Sequence, residues 1–546
     1  MTFFLSFLMA MFVTMLLIPP LMRTAQRMQF LDVPNERKVH TQAIPRIGGV
    51  AMVCGAVLSI VLWIDPSRQI VALLLAMCVI LVFGVWDDRK DLDYRIKFLG
   101  QLIAAAIVVL YGGIVIETVP FGGLTPLRYE LAVPLSIFVL LAVTNAINLA
   151  DGLDGLAGGT TLLSIGVIAL LGYIHDNVAV TLVAVAVIGS ILGFLRFNTF
   201  PARIFMGDGG SQFLGFSLGV LLILLTGTSF IMLSPALPVL LLGLPMLDTA
   251  MVMAQRIYGR RSPFSADKNH IHHRLLALGF DHYEAVSIIY VVQGTLVTVA
   301  YLLRSQDDGI ILTLYFTFCL SVVLFFRWAH VTRWQLRKPL EAEGASPLTR
   351  KLRLLRDGGT LTRMATTFAT AGVPAYLFIG AVAAQHVALD IGLLALGALI
   401  LMLVMYPKTR GRSIGSIERV GLYVLSTLVV YMTYTSPGYM QDIWLLRAAF
   451  FIVLAVVVAI GFRFASSTPF RLTPLDILVI FVAFTVPNLP GLDLPAIGNG
   501  EFIAKIIVLF YAIELILTYV RTRCDVLRYI FFSILGVIVV RGMMSL

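Results

Sequence analysis

The chain has 546 residues, 59% of them hydrophobic and only 13% charged, and its mean hydropathy is +0.94. Soluble domains carry roughly 25% charged residues, so this composition excludes a soluble globular protein and describes a polytopic membrane protein. The net charge of +10 does not call for nucleic acid, because most Lys and Arg residues fall in alternate loops, as the positive-inside rule requires.

The first apolar stretch, FFLSFLMAMFVTMLLIPPLM, lacks a basic n-region and a small-residue cleavage site, so we read it as a retained first span. Apolar runs long enough to cross a bilayer follow, which predicts an all-α fold. Eleven are expected near 2–22, 47–64, 69–86, 98–118, 131–149, 157–175, 178–195, 210–231, 233–255, 284–303 and 308–327. Seven more are expected near 366–385, 388–406, 418–436, 444–462, 473–488, 502–520 and 526–541. Between the two sets, residues 331–364 are polar and basic, and we read them as a linker with a short amphipathic helix at the lipid surface. The chain therefore divides into a membrane domain at 1–330, this linker, and a second multi-span domain at 365–546. Lys and Arg cluster in the loops at 23–46, 87–97, 196–209, 256–283 and 328–364, whereas the opposite loops hold little beyond Arg68, Arg128 and Arg304. That bias puts the N-terminus outside and the basic loops in the cytoplasm. The four cysteines, Cys54, Cys78, Cys319 and Cys524, are scattered and imply neither a disulfide framework nor a zinc site.

Polar residues in the first domain concentrate in the same cytoplasmic loops. Asp87 and Asp88 follow the third run, with Asp91 and Asp93 after them. Asn145, Asn148, Asp151 and Asp154 lie in NAINLADGLDGLAGG, between the fifth and sixth runs. Asn198 and Asp208 follow the seventh. After the ninth come Ser262, Pro263, Phe264, Asp267, His270, His272, His273 and Arg274. Charge at membrane depth is expensive unless it meets a partner, a cavity or an ion. Carboxylates gathered on one face repel one another without a cation, and an all-oxygen set with no nearby cysteine suits Mg²⁺, with Mn²⁺ as a substitute.

Each residue alone has a plainer explanation. Asp87 or Asp88 can cap a helix. Asp154 or Asp208 can serve a glycine turn. The histidines can be solvated, and their spacing matches no common zinc pattern. Asp248, shortly after Pro245, marks either a broken helix or a helix end, and Asp32 and His40 say nothing alone. The chain contains neither GxxxxGK nor GxGxxG, so neither a P-loop nor a dinucleotide fold is supported.

Taken together, NAINLADGLDGLAGG, RFNTFPARIFMGDGGS, the Asp87-Asp88 pair, PRIGG at 45–49 and SPFSADKNHIHHRLLALGF resemble the polyprenyl-phosphate N-acetylhexosamine-1-phosphate transferases. This glycosyltransferase family starts O-antigen, enterobacterial common antigen and teichoic acid synthesis and includes the peptidoglycan translocase branch. The resemblance covers residues 1 to about 330 and says nothing of the last seven runs.

It implies Mg²⁺-dependent transfer of HexNAc-1-phosphate from a UDP-HexNAc to undecaprenyl phosphate, with release of UMP, at the cytoplasmic face of a bacterial inner membrane. It also implies roles: Asp208 as main metal ligand with Asp88 beside it, and Asp87 as the candidate base near the lipid phosphate. Asp151 and Asp154 fall on the nucleotide side and His270, His272 and His273 at the donor, with Asn145, Asn148, Asn198 and Arg274 as further substrate-binding candidates. The histidine motif is closer to the GlcNAc-type enzymes than to the translocase. The cation that meets the lipid phosphate is left between Arg95 and Lys97. The expected partners are undecaprenyl phosphate, UDP-HexNAc and the lipid bilayer, with no nucleic acid and a homodimer left open. The competing readings are a phospho-MurNAc-pentapeptide translocase and a transporter or flippase of lipid-linked sugars. For the seven later runs, a structural or partner-docking role stands against handling of a lipid-linked substrate.

Overall fold

In the computed structural model, the described residues are 2–28, 30–32, 43–123, 125–225, 227, 233–260, 269–336, 360–384, 387–409, 416–435, 444–463, 478, 501–519 and 524–544. They fall into two compact units, Met1–Pro339 with Thr473–Phe481, and Leu340–Leu472 with Val482–Leu546. The described part of the basic linker is confined to its ends. Ser262, Pro263, Phe264, Asp267 and His40 lie outside the described residues, as does the run at 473–488 apart from Leu478.

In the first unit every expected run is a helix. These are α1 (Thr2–Met28), α2 (Gly48–Trp63), α3 (Arg68–Lys90), α4 (Tyr94–Ala106), α5 (Tyr129–Ala150), α6 (Leu156–Ile174), α7 (Val178–Asn198), α8 (Gly207–Leu225) and α9 (Leu237–Tyr258), then the short α10 (Ile271–Ala277), α11 (His282–Leu302) and α12 (Asp308–Val331). Helix α4 runs on as a π-helical turn over Ile107–Tyr111. In the second unit six of the seven expected runs are helices: α13 (Thr360–Ala383), α14 (Leu389–Thr409), α15 (Ser416–Thr435), α16 (Trp444–Arg463), α17 (Glu501–Tyr519) and α18 (Cys524–Met543). Eleven of the described helices are long and apolar enough to cross a membrane. The protein is an all-α polytopic membrane protein. One small departure is a two-residue antiparallel pair, Leu31–Asp32 with Ile44–Pro45, between α1 and α2.

Local chemistry sets the helix ends. Ser67 accepts the Ile70 N–H at 3.3 Å to start α3. Asp91, in the left-handed region at φ 49°, ends that helix, and Asp93 accepts the Arg95 N–H at 2.8 Å to start α4. Asp91 and Asp93 are thus accounted for by capping. Asp281 and Glu284 form a reciprocal capping box at α11.

Helix α8 is the centre of the first unit, and almost its whole length is buried. It packs on α2, α3, α5 and α6. Glycines make the approach possible: a Cβ on Gly49 would lie 2.3 Å from the Gly210 nitrogen, and one on Gly84 would lie 2.3 Å from the Gly209 Cα. Backbone therefore meets backbone at the first turn of α8, as small residues permit between membrane helices. Helix α9 is broken at Gly243 (φ 38°, ψ −112°). The break is repaired by Gln293, which accepts the Leu244 N–H at 3.0 Å and donates to the Leu241 carbonyl at 3.0 Å, while the Tyr315 hydroxyl donates to the Gly243 carbonyl at 3.0 Å.

Candidate active site

The site begins where the segment before α2 pairs with the segment before α8. Phe205 donates its N–H to the Pro45 carbonyl at 2.8 Å, and Gly48 and Gly49 donate to the carbonyls of Phe205 and Met206, both at 2.9 Å. This pairing brings PRIGG and FMGDGG side by side. Gly207 then turns at φ 68°, where any Cβ would strike the Asp88 carboxylate at 2.3 Å.

Asp88 accepts the N–H groups of Asp208 at 2.9 Å and Gly209 at 3.3 Å, one on each oxygen. It therefore satisfies the exposed start of α8, where an anion is also favoured by the helix dipole. The Arg46 guanidinium lies 3.8 Å from Asp88 and 3.3 Å from Asp32. Burial would lower the Arg46 pKa, but Asp88, Asp32, Asp208 and Asp151 together outweigh it and raise the value. With both oxygens and a cation engaged, Asp88 has the geometry of an anchor for Asp208 more than of the metal ligand expected from the sequence.

Asp87, 3% exposed, accepts the Leu92 N–H at 2.8 Å and pairs with Lys97 at 2.7 Å. The same ammonium is 3.6 Å from Asp208. Lys97 thus sits between two carboxylates, whereas Arg95 lies on the exposed side against Tyr94. Of the two expected cations, Lys97 is the one brought to the aspartates. Asp208 keeps 22% of its side chain exposed, which leaves it the accessible one among Asp87, Asp88 and Asp208.

The α5 end and the following loop form the adjoining wall. Gln101 donates to Gln212 at 3.2 Å and accepts from Asn145 at 2.7 Å, linking α4, α5 and α8. Ser211 donates to Asn148 at 2.8 Å. The loop is then held at successive residues. Asp154 accepts the Ala202 N–H at 2.9 Å and gives its own N–H to His282 Nε2 at 3.1 Å. Gly155, at φ 79°, donates to Asn198 at 2.9 Å and accepts from the Tyr290 hydroxyl at 2.6 Å. Asn198 also donates to the Ile204 carbonyl at 2.8 Å, tying this loop to the segment that leads into Asp208. Asp151 is half-buried. Burial first, and then the neighbouring Asp208, push its carboxyl up to about 7.

The histidines arrive on α10. A Cβ on Gly152 would lie 2.2 Å from His272 Nε2, so this ring rests directly on the Asp151–Asp154 loop. Burial, followed by His273, lowers the His272 pKa to about 3, and the ring is neutral at any physiological pH. His273 lies against His272, with ring centroids 4.3 Å apart, and His270 bonds to Asp248 at 2.8 Å. The Arg274 Nε donates to the Asn269 carbonyl at 2.8 Å, and its guanidinium stands 5.5 Å over the Phe326 ring.

The donor set fits a divalent cation of the kind expected. Among the described residues, Asp87 and Asp208 share Lys97, while Asp88 has Arg46 beside it, whose charge also reaches Asp151. A hard cation that takes one or two carboxylates and completes its shell from phosphates and water suits that excess of carboxylates. Among the described residues no group of three or more such side chains converges as a ready-made cage. The sequence reading missed Arg46 except as part of PRIGG, and it also missed Gln101, Gln212, His282 and Tyr290, while Ser211 entered only at the end of RFNTFPARIFMGDGGS. Gln101 and Gln212 carried a signal, since an amide inside an apolar run is a polar group at depth in need of a partner.

A multi-span helical bundle with a carboxylate-rich, phosphate-compatible site at the ends of its helices defines a class of membrane enzymes that act on phosphorylated substrates. The signature of glycosyl transferase family 4 matches residues 70–226, which hold Asp87, Asp88, the Asp151–Asp154 loop and Asp208. The probable undecaprenyl-phosphate N-acetylglucosaminyl 1-phosphate transferase of Bacillus subtilis is 36% identical over 325 residues, covering 58% of this chain and 89% of that protein. The decaprenyl-phosphate N-acetylglucosaminephosphotransferase of Mycobacterium leprae is 35% identical over 301 residues, covering 50% and 76%. The undecaprenyl-phosphate alpha-N-acetylglucosaminyl 1-phosphate transferase of Escherichia coli K12 is 28% identical over 287 residues, covering 51% and 78%. The chain belongs to glycosyl transferase family 4.

Proposed function

We propose that this protein transfers HexNAc-1-phosphate, of the GlcNAc type, from a UDP-HexNAc to undecaprenyl phosphate, giving undecaprenyl-diphospho-HexNAc and UMP. It is a glycosyl-1-phosphate transferase. The observation that carries the reading is the meeting of Asp87, Asp208 and Lys97 at the start of α8 in a chain related along most of their length to enzymes named for this chemistry. The positive-inside bias supports a cytoplasmic orientation for this face, in a bacterial inner membrane.

A phosphate monoester has a second pKa near 6, so the lipid phosphate reaches the site largely as a dianion and needs little help from a base. Its oxygen attacks the β-phosphorus of the donor. A new phosphorus–oxygen bond forms as the bond to the α-phosphate oxygen breaks, and UMP leaves with that electron pair. Lys97 stands where it can meet phosphate charge between Asp87 and Asp208, and Arg46 adds a second cation. The Asp151–Asp154 loop and the α10 histidines form the nucleotide-sugar side. Mg²⁺, or Mn²⁺ in its place, would be held by Asp208 and would polarise the diphosphate as a Lewis acid.

Purified protein incubated with undecaprenyl phosphate, Mg²⁺ and a panel of UDP-HexNAc donors should release UMP, fastest with a GlcNAc-type donor. No UMP with any donor would end the reading. Exchange of labelled UMP into UDP-HexNAc without lipid would replace direct attack by a two-step route through an aspartyl intermediate.

A further inference from the structure

The residue left without a role by this reading is Asp248. It lies on α9, one turn beyond the break at Gly243, and is 6% exposed. One of its oxygens accepts the Ile271 N–H at 2.7 Å, and the other is 2.8 Å from His270 Nδ1. His270 itself is 5% exposed and immediately precedes α10. Both carboxylate oxygens are therefore used, one on the backbone that begins the histidine helix and one on its first histidine.

We propose that Asp248 is a positioning residue for donor turnover and acts through His270; this rests on the transferase reading above. A carboxylate only accepts hydrogen bonds, so its partner Nδ1 carries the imidazole proton and Nε2 is the nitrogen left to meet the nucleotide sugar. A carboxylate behind a histidine fixes tautomer and orientation in the way the buried aspartate of a serine-protease triad does. The break at Gly243 contributes to this. It redirects the second half of α9, and the residue that follows one turn later reaches across to a segment more than twenty positions away in the chain.

Asp248→Asn keeps the shape and keeps an acceptor for the Ile271 N–H, but it turns an amide N–H toward His270 Nδ1 and forces the other tautomer. The experiment compares Asp248→Asn, His270→Gln and the double variant in full-length protein that releases UMP in the wild type. We expect Asp248→Asn to lower kcat by about 10²-fold or more with KM for the donor changed much less, by analogy with tautomer-inverting substitutions. The double variant should be no slower than His270→Gln alone. Effects that multiply, or wild-type kcat in Asp248→Asn, would overturn the proposal while leaving the transferase reading intact. As a second measurement that needs no folded Asp248 variant, ¹⁵N-histidine spectra of the wild type, assigned by loss of a signal in His270→Gln, should show the Nδ1–H tautomer. An Nε2–H tautomer at His270 would refute it.

Discussion

The two units treat polar groups inside apolar helices in opposite ways. In the second unit they are settled locally: Glu514 pairs with Arg419 at 3.2 Å and accepts from the Tyr423 hydroxyl, Lys505 rests 4.9 Å over the Tyr434 ring, and Arg541 donates to the backbone carbonyls of Ala381 and Val382. In the first unit the polar groups come from α3, α4, the end of α5 and the loop after it, the start of α8, and α10 with the residue before it, and they converge at helix ends. There the carboxylates outnumber the cations beside them, and Asp208 stays accessible. The difference separates charge that holds helices together from charge that remains available to a substrate.

The largest test of that contrast is Asp208→Asn, which we expect to cut transfer by ~10³-fold with unchanged membrane insertion, the scale of losing a central electrostatic contact. Lys97→Met should cost ~10²-fold in the same assay; full activity in either variant would detach that residue from the site. Next comes Gly84→Ala. Its methyl would meet backbone of α8 at 2.3 Å, so we expect about 1–3 kcal/mol of destabilisation from overpacking, seen as a lowered melting temperature with a parallel loss of transfer.

A smaller effect concerns Asp151, whose folded-state pKa of about 7 stands above its ordinary 3.8. Between those values the folded protein binds more protons than the unfolded chain, so stability contributed by this group falls as pH rises through the window. In divalent-free buffer Asp151→Asn should flatten that part of the stability profile, and an unchanged slope would count against the assignment. The smallest effect on chemistry is expected in the second unit: Glu514→Gln should lower the melting temperature and leave the transfer rate of the folded protein unchanged. A loss of transfer would mean that the second unit participates in turnover.

How much of this could be read from the sequence differs by residue for a physical reason. Apolar runs at spanning length located the helices, because length and hydropathy are local properties. Asp87, Asp154 and Asp208 stood out because charge at depth is rare. The separate duties at the site did not stand out, since only geometry shows Asp88 on the start of α8 and Lys97 between two carboxylates. Asp248 was visible as an oddity after Pro245, with a broken helix as one reading, but its bond to His270 joins residues far apart in the chain, and no local pattern pairs them. Arg46 was masked by a loop already rich in basic residues.

The central claim is that the convergent carboxylates of the first unit hold a divalent cation through Asp208. Its most direct test is a Mn²⁺ titration of the purified protein followed by electron paramagnetic resonance, with and without a UDP-HexNAc. The wild type should bind Mn²⁺ more tightly when the nucleotide sugar is present, and Asp208→Asn should lose both the site and the enhancement. Undiminished Mn²⁺ binding by folded Asp208→Asn would contradict the account.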